Sequence, residues 1–303
     1  MTELVNILTS GLRFATTINI ASMGGTFTQK VGIWNVGLEG FILSSAFTAV
    51  WISYHTGNPW LGLGGGIATG LVAGLLMGWV VVGLGADEII AGLAINLLAS
   101  GGTRFLLPIV FPGFQGAVVS DKVVALPTVD IGGLDSVPVL KALNHHSPLV
   151  WLGFVLVPGV TWILLRTGFG LRLRAVGEAP ESAEASGVSA NRARYAAFAI
   201  SGALCGIAGT QLSLGFLALF SQDMTSGVGY IAFAAIIFGD AFPPLVFVGA
   251  LVFGLSQAAV IELGKTLTIP SQFISMFPYL VAIAALVVLS QRRATRRLAT
   301  ESA

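Results

Sequence analysis

Apolar residues run through this chain in blocks of about 20, the length that crosses the hydrocarbon of a bilayer as one helix. Five blocks are almost uninterrupted: Trp60 to Leu84, Pro148 to Leu165, Tyr195 to Phe216, Pro244 to Ile261 and Phe273 to Ser290. Three more are long enough but carry polar groups: Leu4 to Met23 with Arg13, Leu38 to Tyr54 beside Glu39, and Ile89 to Val110 with Asn96 and Arg104. Val228 to Phe238 is too short to cross unaided, and Gly227, Gly229, Gly239, Pro243 and Pro244 bracket it, which predicts a broken helix. The expected fold is an all-α polytopic membrane bundle, a single domain over residues 1–303, with about eight to ten transmembrane helices. Within the first strong block Gly62, Gly66, Gly70, Gly74 and Gly78 recur every fourth residue, a smooth ridge that another backbone can approach closely; Gly202, Gly206 and Gly209 repeat the theme. Dense helix packing and a surface that slides during transport both fit such a ridge.

Composition agrees with the pattern. Of 303 residues 55% are hydrophobic and 10% charged, against roughly 25% charged in soluble chains, and the mean hydropathy is +0.88. Such a chain has too little polar surface to cover itself in water. Net charge is +1, which offers no polyanion surface and gives no reason to expect a nucleic-acid partner. The single Cys205 excludes an internal disulfide or a CxxC pair, and adjacent His145 and His146 are too few for a metal site. MTELVNILTSGLRF lacks the features of a signal peptide, so insertion is expected to rely on the spans.

Charge position orients the bundle. Arg166, Arg172, Arg174, Arg192 and Arg194 cluster about a loop at 167–194, and Arg292, Arg293, Arg296 and Arg297 crowd a tail at 291–303; both are expected on the cytoplasmic side. The loop at 112–147 carries Lys122 and Lys141 against Asp121, Asp130 and Asp135 and is expected outside. Parity then requires the broken segment near 228–238 to cross, and places the N-terminus outside. Trp51, Tyr54, Trp60, Trp151 and Trp162 fall near predicted span ends, as interfacial aromatics do.

A charge at mid-bilayer costs on the order of 2.5 to 3.5 kcal/mol, so polar groups within spans are functional candidates. Asn35 and Glu39 are four apart, on one face if helical, among Gly32, Gly37 and Gly40, which permit a break. Glu88 falls near the cytoplasmic edge with Asn96 two turns deeper on nearly the same face. For Asn35, Glu39 and Asn96 a pathway-lining or gating role and helix-to-helix hydrogen bonding both remain open, and Glu88 is counted with them as a pathway candidate. Arg104 is close enough to the outer boundary to snorkel. The two glycine-broken elements fall in opposite halves of the chain, a pattern that points to a pathway between two repeats if the elements share a cavity.

The loop at 167–194 has its own grammar. Pro180 suits a first helical turn, Glu181 and Glu184 complement its positive end, Gly187 suits its stop, and Ser189 suits the cap of the next helix. The result is a two-turn helix, Pro180 to Ser186, lying across the cytoplasmic face.

These stretches resemble the membrane permeases of ABC importers for simple sugars and nucleosides, which are related to the branched-chain amino-acid permeases. The resemblance covers nearly the whole chain and is carried by GIWNVGLEG (32–40), DEIIAGLAINLLASG (87–101), FGLRLRAVGEAPESAEASGV (169–188), ISGALCGIAG (200–209) and GYIAFAAIIFGDAFPP (229–244). The loop also echoes the pattern E-A-A-x-x-x-G at Glu181, Ser182, Ala183 and Gly187, with Ser182 in place of the first alanine and no I-x-L-P ending.

The resemblance implies a multi-pass subunit of a bacterial inner membrane with its C-terminus in the cytoplasm. It implies a second permease subunit, identical or related, two cytoplasmic ABC ATPase subunits, and an extracytoplasmic binding protein or lipoprotein. It also implies that Arg174, Glu178, Glu181, Ala183, Glu184 and Gly187 meet the ATPase, whose movement rocks the spans in alternating access. No cofactor is expected on this chain, since ATP and Mg belong to the ATPase. Gly264, Lys265 and Thr266 mimic the end of a P-loop, but Ala259 stands where its first glycine belongs. An ion-coupled secondary transporter or channel is the rival class, predicting gradient dependence without an ATPase; a membrane-embedded enzyme fits less well still. Few charges and several amides along the pathway suit a neutral hydroxylated solute, closest in wording to the nucleoside branch, with simple sugars and branched-chain amino acids as alternatives.

Overall fold

The computed structural model describes residues 2–114, 116–118, 122–130 and 144–266. Its elements run α1 (Thr2–Lys30), α2 (Leu38–Thr56), α3 (Pro59–Gly78, continued as a π-helical turn over Trp79–Gly83), α4 (Glu88–Val110), β1 (Ala117–Val118), α5 (Pro148–Arg166), α6 (Gly168–Glu178), α7 (Pro180–Ala185), α8 (Ala190–Thr210, continued in π geometry over Gln211–Leu217), β2 (Phe220–Ser221), α9 (Val228–Phe238) and α10 (Pro243–Thr266). The predicted span Phe273 to Ser290, the basic tail, Lys141, Asp121 and Asp135 lie outside the described residues. Among the described residues the elements are helical but for a two-residue antiparallel pair, Ala117 opposite Ser221 and Val118 opposite Phe220, and an isolated bridge between Val129 and His146.

Among the described residues five helices are long and apolar enough to cross a membrane, and four of these have only 22–28% of their apolar stretch buried within the chain. These four, the α3, α4, α5 and α10 stretches, form the rim. The fifth, Ala190–Leu217, is 72% buried and is a core element with α1 and α2. Polarity follows position. In α1, Thr16, Thr17, Asn19, Ser22, Thr26 and Thr28 are all buried, yet their donors are answered: Thr16, Ser22 and Thr26 donate to carbonyls four residues back at 2.7–2.8 Å, and Asn19 Nδ2 donates to the Gly153 carbonyl at 2.8 Å, while Asn19 Oδ1 has no partner among the described residues. A helix that faces protein on all sides can carry these groups because each hydroxyl finds an acceptor on its own helix.

The glycine ridge of α3 meets its counterpart on α8. A Cβ at Gly70 would strike the Gly202 carbonyl, one at Gly74 the Phe198 carbonyl, and one at Gly202 the Gly70 carbonyl. Backbone lies on backbone, the dense packing that the spacing allowed.

The ends of the helices fix which elements share a side. Arg13, in the first half of α1, donates to the His145 carbonyl at 3.0 Å, while Lys30 at its end abuts Gly177 of α6. The 144–147 segment and the α6–α7 element therefore occupy opposite ends of the bundle. The described residues of the loop at 112–147 and the loop at 167–194 thus fall at opposite ends, in line with the opposite sides expected from their charges.

Candidate functional site

Two helices begin inside the bundle rather than at its surface. Helix α1 stops at Lys30, an irregular segment follows with Gly32 at φ +80°, and α2 starts at Leu38. Its first turn is capped from another helix: Asn96 Oδ1 accepts from the Gly40 N–H at 2.8 Å, and Asn96 Nδ2 donates to the Val36 carbonyl and to the Tyr230 hydroxyl, both at 3.0 Å. Asn96 lies eight residues into α4, about 12 Å along its axis at 1.5 Å per residue, so α2 starts well within the bundle. Asn35 precedes the helix instead of sharing a face with Glu39. Its Oδ1 accepts from Gly37 N–H at 3.1 Å and its Nδ2 donates to Ser201 Oγ at 3.0 Å, which ties the break to α8.

Helix α9 begins at the same place. Gly227, at φ +88°, precedes it, and the Glu39 carboxylate accepts from the N–H groups of Gly227 at 2.9 Å and Gly229 at 2.6 Å. A carboxylate at a helix N-terminus answers orphan donors and the positive end of the helix dipole together. Gly229 has no room for a side chain, since a Cβ there would run into the Glu39 backbone. The chain of caps runs α4 to α2 through Asn96 and α2 to α9 through Glu39. The two broken elements thus meet and share a cavity of about 390 Å³, which opens on the surface of the chain. Glu39 and Asn96 line it, and Asn35 and Glu88 do not. Glu88 occupies the first turn of α4, where Asp87 is the cap, accepting from Ile89 and Ile90 N–H at 2.9 and 3.0 Å.

The cavity gains groups that sequence reasoning missed. Asn96, Ser100 and Arg104 fall four apart and make a polar stripe on otherwise apolar α4. Ser100 Oγ donates to Asp223 Oδ1 at 2.7 Å, and Arg104 binds Asp223 Oδ2 through Nε at 3.1 Å and through Nη2. Arg104 pairs with a carboxylate where snorkelling to headgroups was expected. Burial alone would raise the Asp223 carboxyl, but the hydrogen bonds from Arg104 and Ser100 and the guanidinium charge outweigh that and hold it below the ordinary carboxylate range. The side chains of this pair are 56% and 41% exposed. Arg104 stands near the end of α4 that leads into the loop at 111–114, and Asp223 follows the strand paired with Ala117, so the pair sits toward that end of the bundle rather than at mid-helix. The 96/100/104 spacing was legible in the sequence; the partner Asp223, 119 positions beyond Arg104, was not.

At the other end, α6 and α7 form one element. Helix α6 packs Gly170, Leu173 and Val176 inward, and Gly177 seats directly against the Lys30 carbonyl. Helix α7 has Pro180 in its first turn and ends in a closed C-cap: Val188 N–H donates to the Ala183 carbonyl at 3.0 Å and Gly187 N–H to the Glu184 carbonyl at 2.9 Å, with Gly187 at φ +82°. Ser189 then accepts from Arg192 N–H at 3.4 Å. Of the coupling candidates, Glu178, Glu181, Glu184 and Gly187 are exposed, Arg174 is half-buried, and Ala183 is buried against its own chain. Ala183 seats the helix; the acidic residues offer the surface. A Cβ on Gly187 would meet nothing within 4 Å, so its need for glycine is conformational rather than steric within this chain.

The profile of a protein family described as branched-chain amino acid transport system / permease component matches residues 7–286. The chain belongs to this permease family. It is 31% identical to TsgC13 of Haloferax volcanii, which bears the name of a glucose ABC transporter permease protein, over all of this chain and 97% of the relative. It is 32% identical to the guanosine ABC transporter permease protein NupQ of Bacillus subtilis, over 92% of this chain and 90% of the relative. It is also 32% identical to the nucleoside ABC transporter permease protein NupC of Lactococcus lactis, over 93% of this chain and 91% of the relative. This permease is accordingly a multi-pass membrane protein and the transport component of an ABC system.

Proposed function

We propose that the permease forms the path by which a nucleoside crosses the bacterial inner membrane inward, driven by ATP hydrolysed on a separate subunit. Its partners are a cytoplasmic ABC ATPase pair, a second permease subunit, identical or related, and an extracytoplasmic binding protein or lipoprotein. ATP and Mg stay on the ATPase, and the chain's C-terminus is cytoplasmic. The observation that carries this reading is the α6–α7 element, a short rod locked to the bundle through Leu173, Val176 and Ala183 that turns Glu178, Glu181 and Glu184 outward. Rigid attachment on one face and a charged free face are what force transfer from a soluble motor requires. Because Gly177 of α6 abuts the end of α1, displacement of the rod is passed to a core helix, and the spans rock to open the path on one side at a time.

Glu39 and Asn96 serve that path by holding the starts of α9 and α2 in place beside it. Glu88, on the cytoplasmic turn of α4, and Asn35, at the break before α2, flank it. A sugar is the second reading of the substrate, favoured by the glucose name of TsgC13. Replacing Glu181 and Glu184 together with Lys is expected to abolish ATP-dependent nucleoside uptake by cells expressing the complete transporter, while membrane insertion and thermal stability stay at wild-type levels. Undiminished uptake would remove the coupling assignment.

A further inference from the structure

We propose that the cavity between α4 and the segment 223–230 is a wall of the water-filled substrate passage, and that Tyr230 and Asp223 read the hydroxyls of a neutral, ring-shaped solute there. This inference rests on the importer reading above and names where in the chain the solute is touched.

Four observations support it. The cavity of about 390 Å³ is large enough to take one sugar or nucleoside ring system against an aliphatic floor of Leu43, Leu93 and Leu97. It sits where two helix N-termini meet inside the bundle, about halfway along α4. Its polar groups are arranged by rank. Glu39 and Asn96 spend their acceptor oxygens on backbone N–H groups and hold the wall together, whereas Tyr230 is 40% exposed and accepts from Asn96, so that among the described residues no acceptor takes its own O–H. That proton is available to a ligand oxygen. Asp223 accepts from Ser100 and Arg104 and is still 41% exposed, which leaves carboxylate lone pairs for ligand hydroxyls.

The charge balance selects among solutes. Arg104 is held by Asp223, so the wall presents a donor and acceptors without a released cation. Nucleosides and simple sugars share the required chemistry, a ring bearing neighbouring hydroxyls, and phosphorylated versions meet carboxylate with no cation to offset it. Asp223 and Tyr230 touch the solute; Ser100, Arg104 and Asn96 are positioning residues for them.

Thiol labelling tests the placement without depending on transport. The one native thiol of this chain, Cys205, is buried, so a cysteine introduced elsewhere reports alone when labelling is read on this chain after the subunits are separated. In membrane vesicles holding the complete transporter, Leu97→Cys is expected to react with a charged, membrane-impermeant thiosulfonate, because thiolate forms in a water-filled passage and not in hydrocarbon. Val155→Cys on α5, 65% exposed on the rim, is expected to stay unreactive. Ser226→Cys repeats the test should Leu97→Cys fail to assemble. Saturating nucleoside or sugar, whichever the complete transporter imports, is expected to slow the Leu97→Cys reaction at least threefold, and the monophosphate of the same solute to leave it unchanged. Adding Tyr230→Phe is expected to raise the solute concentration needed for half-protection about threefold to tenfold, the value of one hydrogen bond. If neither cysteine reacts in a transporter that imports normally, the cavity faces lipid or a protein seam and the proposal fails while the importer reading stands. Reaction without any protection by imported solute overturns the ligand-reading roles of Tyr230 and Asp223.

Discussion

The junction inside the bundle and the α6–α7 rod at one end of it handle polar groups in opposite ways. At the junction, Glu39 and Asn96 find their partners within the chain, at helix starts that hydrocarbon could not satisfy. On the rod, Glu178, Glu181 and Glu184 turn outward, and the buried positions are the small or aliphatic Gly170, Leu173, Val176 and Ala183. Desolvation explains the difference. An unanswered N–H inside the membrane costs several kcal/mol, so the junction must close on itself, whereas groups in water lose nothing by waiting for a partner. Stability therefore resides at the junction, and the rod offers the free charged surface that the proposed coupling requires.

The contrast can be broken at either end. The largest effect is expected from Glu39→Ala, which strips two charge-assisted hydrogen bonds and strands the Gly227 and Gly229 N–H groups, for a loss of about 3 kcal/mol in thermal or denaturant unfolding of the purified protein. Asn96→Leu follows at about 2 kcal/mol, since it leaves the Gly40 N–H and the Val36 carbonyl without their partner; Asn96→Asp, which keeps the acceptor for Gly40, should recover part of the loss. Ala183→Leu forces bulk beneath α7 and should cost about 1 to 2 kcal/mol, but its fall in ATP-driven uptake should exceed that of Asn96→Asp at equal thermal stability. Gly187→Ala comes last, at about 1 kcal/mol, from the left-handed backbone of the closed cap rather than from crowding. A Glu39→Ala protein as stable as wild type, or an Ala183→Leu protein with normal uptake, would erase the division of labour.

Much of this architecture could be read along the chain because its causes are local. Val228–Phe238 appears with the bounds its flanking glycines and prolines predicted, and α7 starts at Pro180 and ends before Gly187 as its cap residues dictate. Helix α1 runs seven residues past the predicted Met23, through Gly24 and Gly25, because close packing on α8 and α9 replaces the side chains those glycines lack. Helix α6 escaped notice since its glycines at 168, 170 and 177 read as a loop; Gly170 and Gly177 are instead contact points with the end of α5 and with Lys30. Of the two conformations open to Asn35, helical face or glycine-permitted break, the structure takes the break, because α2 is capped by Asn96 and begins as late as Leu38.

The sequence alone determined that this protein lives in a bilayer, where most of its helices lie, and the bounds of the short helix at Pro180, since length, period and cap residues act over a few neighbouring positions. Which helix end each buried polar group answers was decided only by the tertiary structure. Asn96 reaches Gly40 across 56 residues, Arg104 reaches Asp223 across 119, and Glu39 reaches Gly227 across 188. A hydrogen bond depends on where atoms end up in space, and no local pattern encodes partners that far apart.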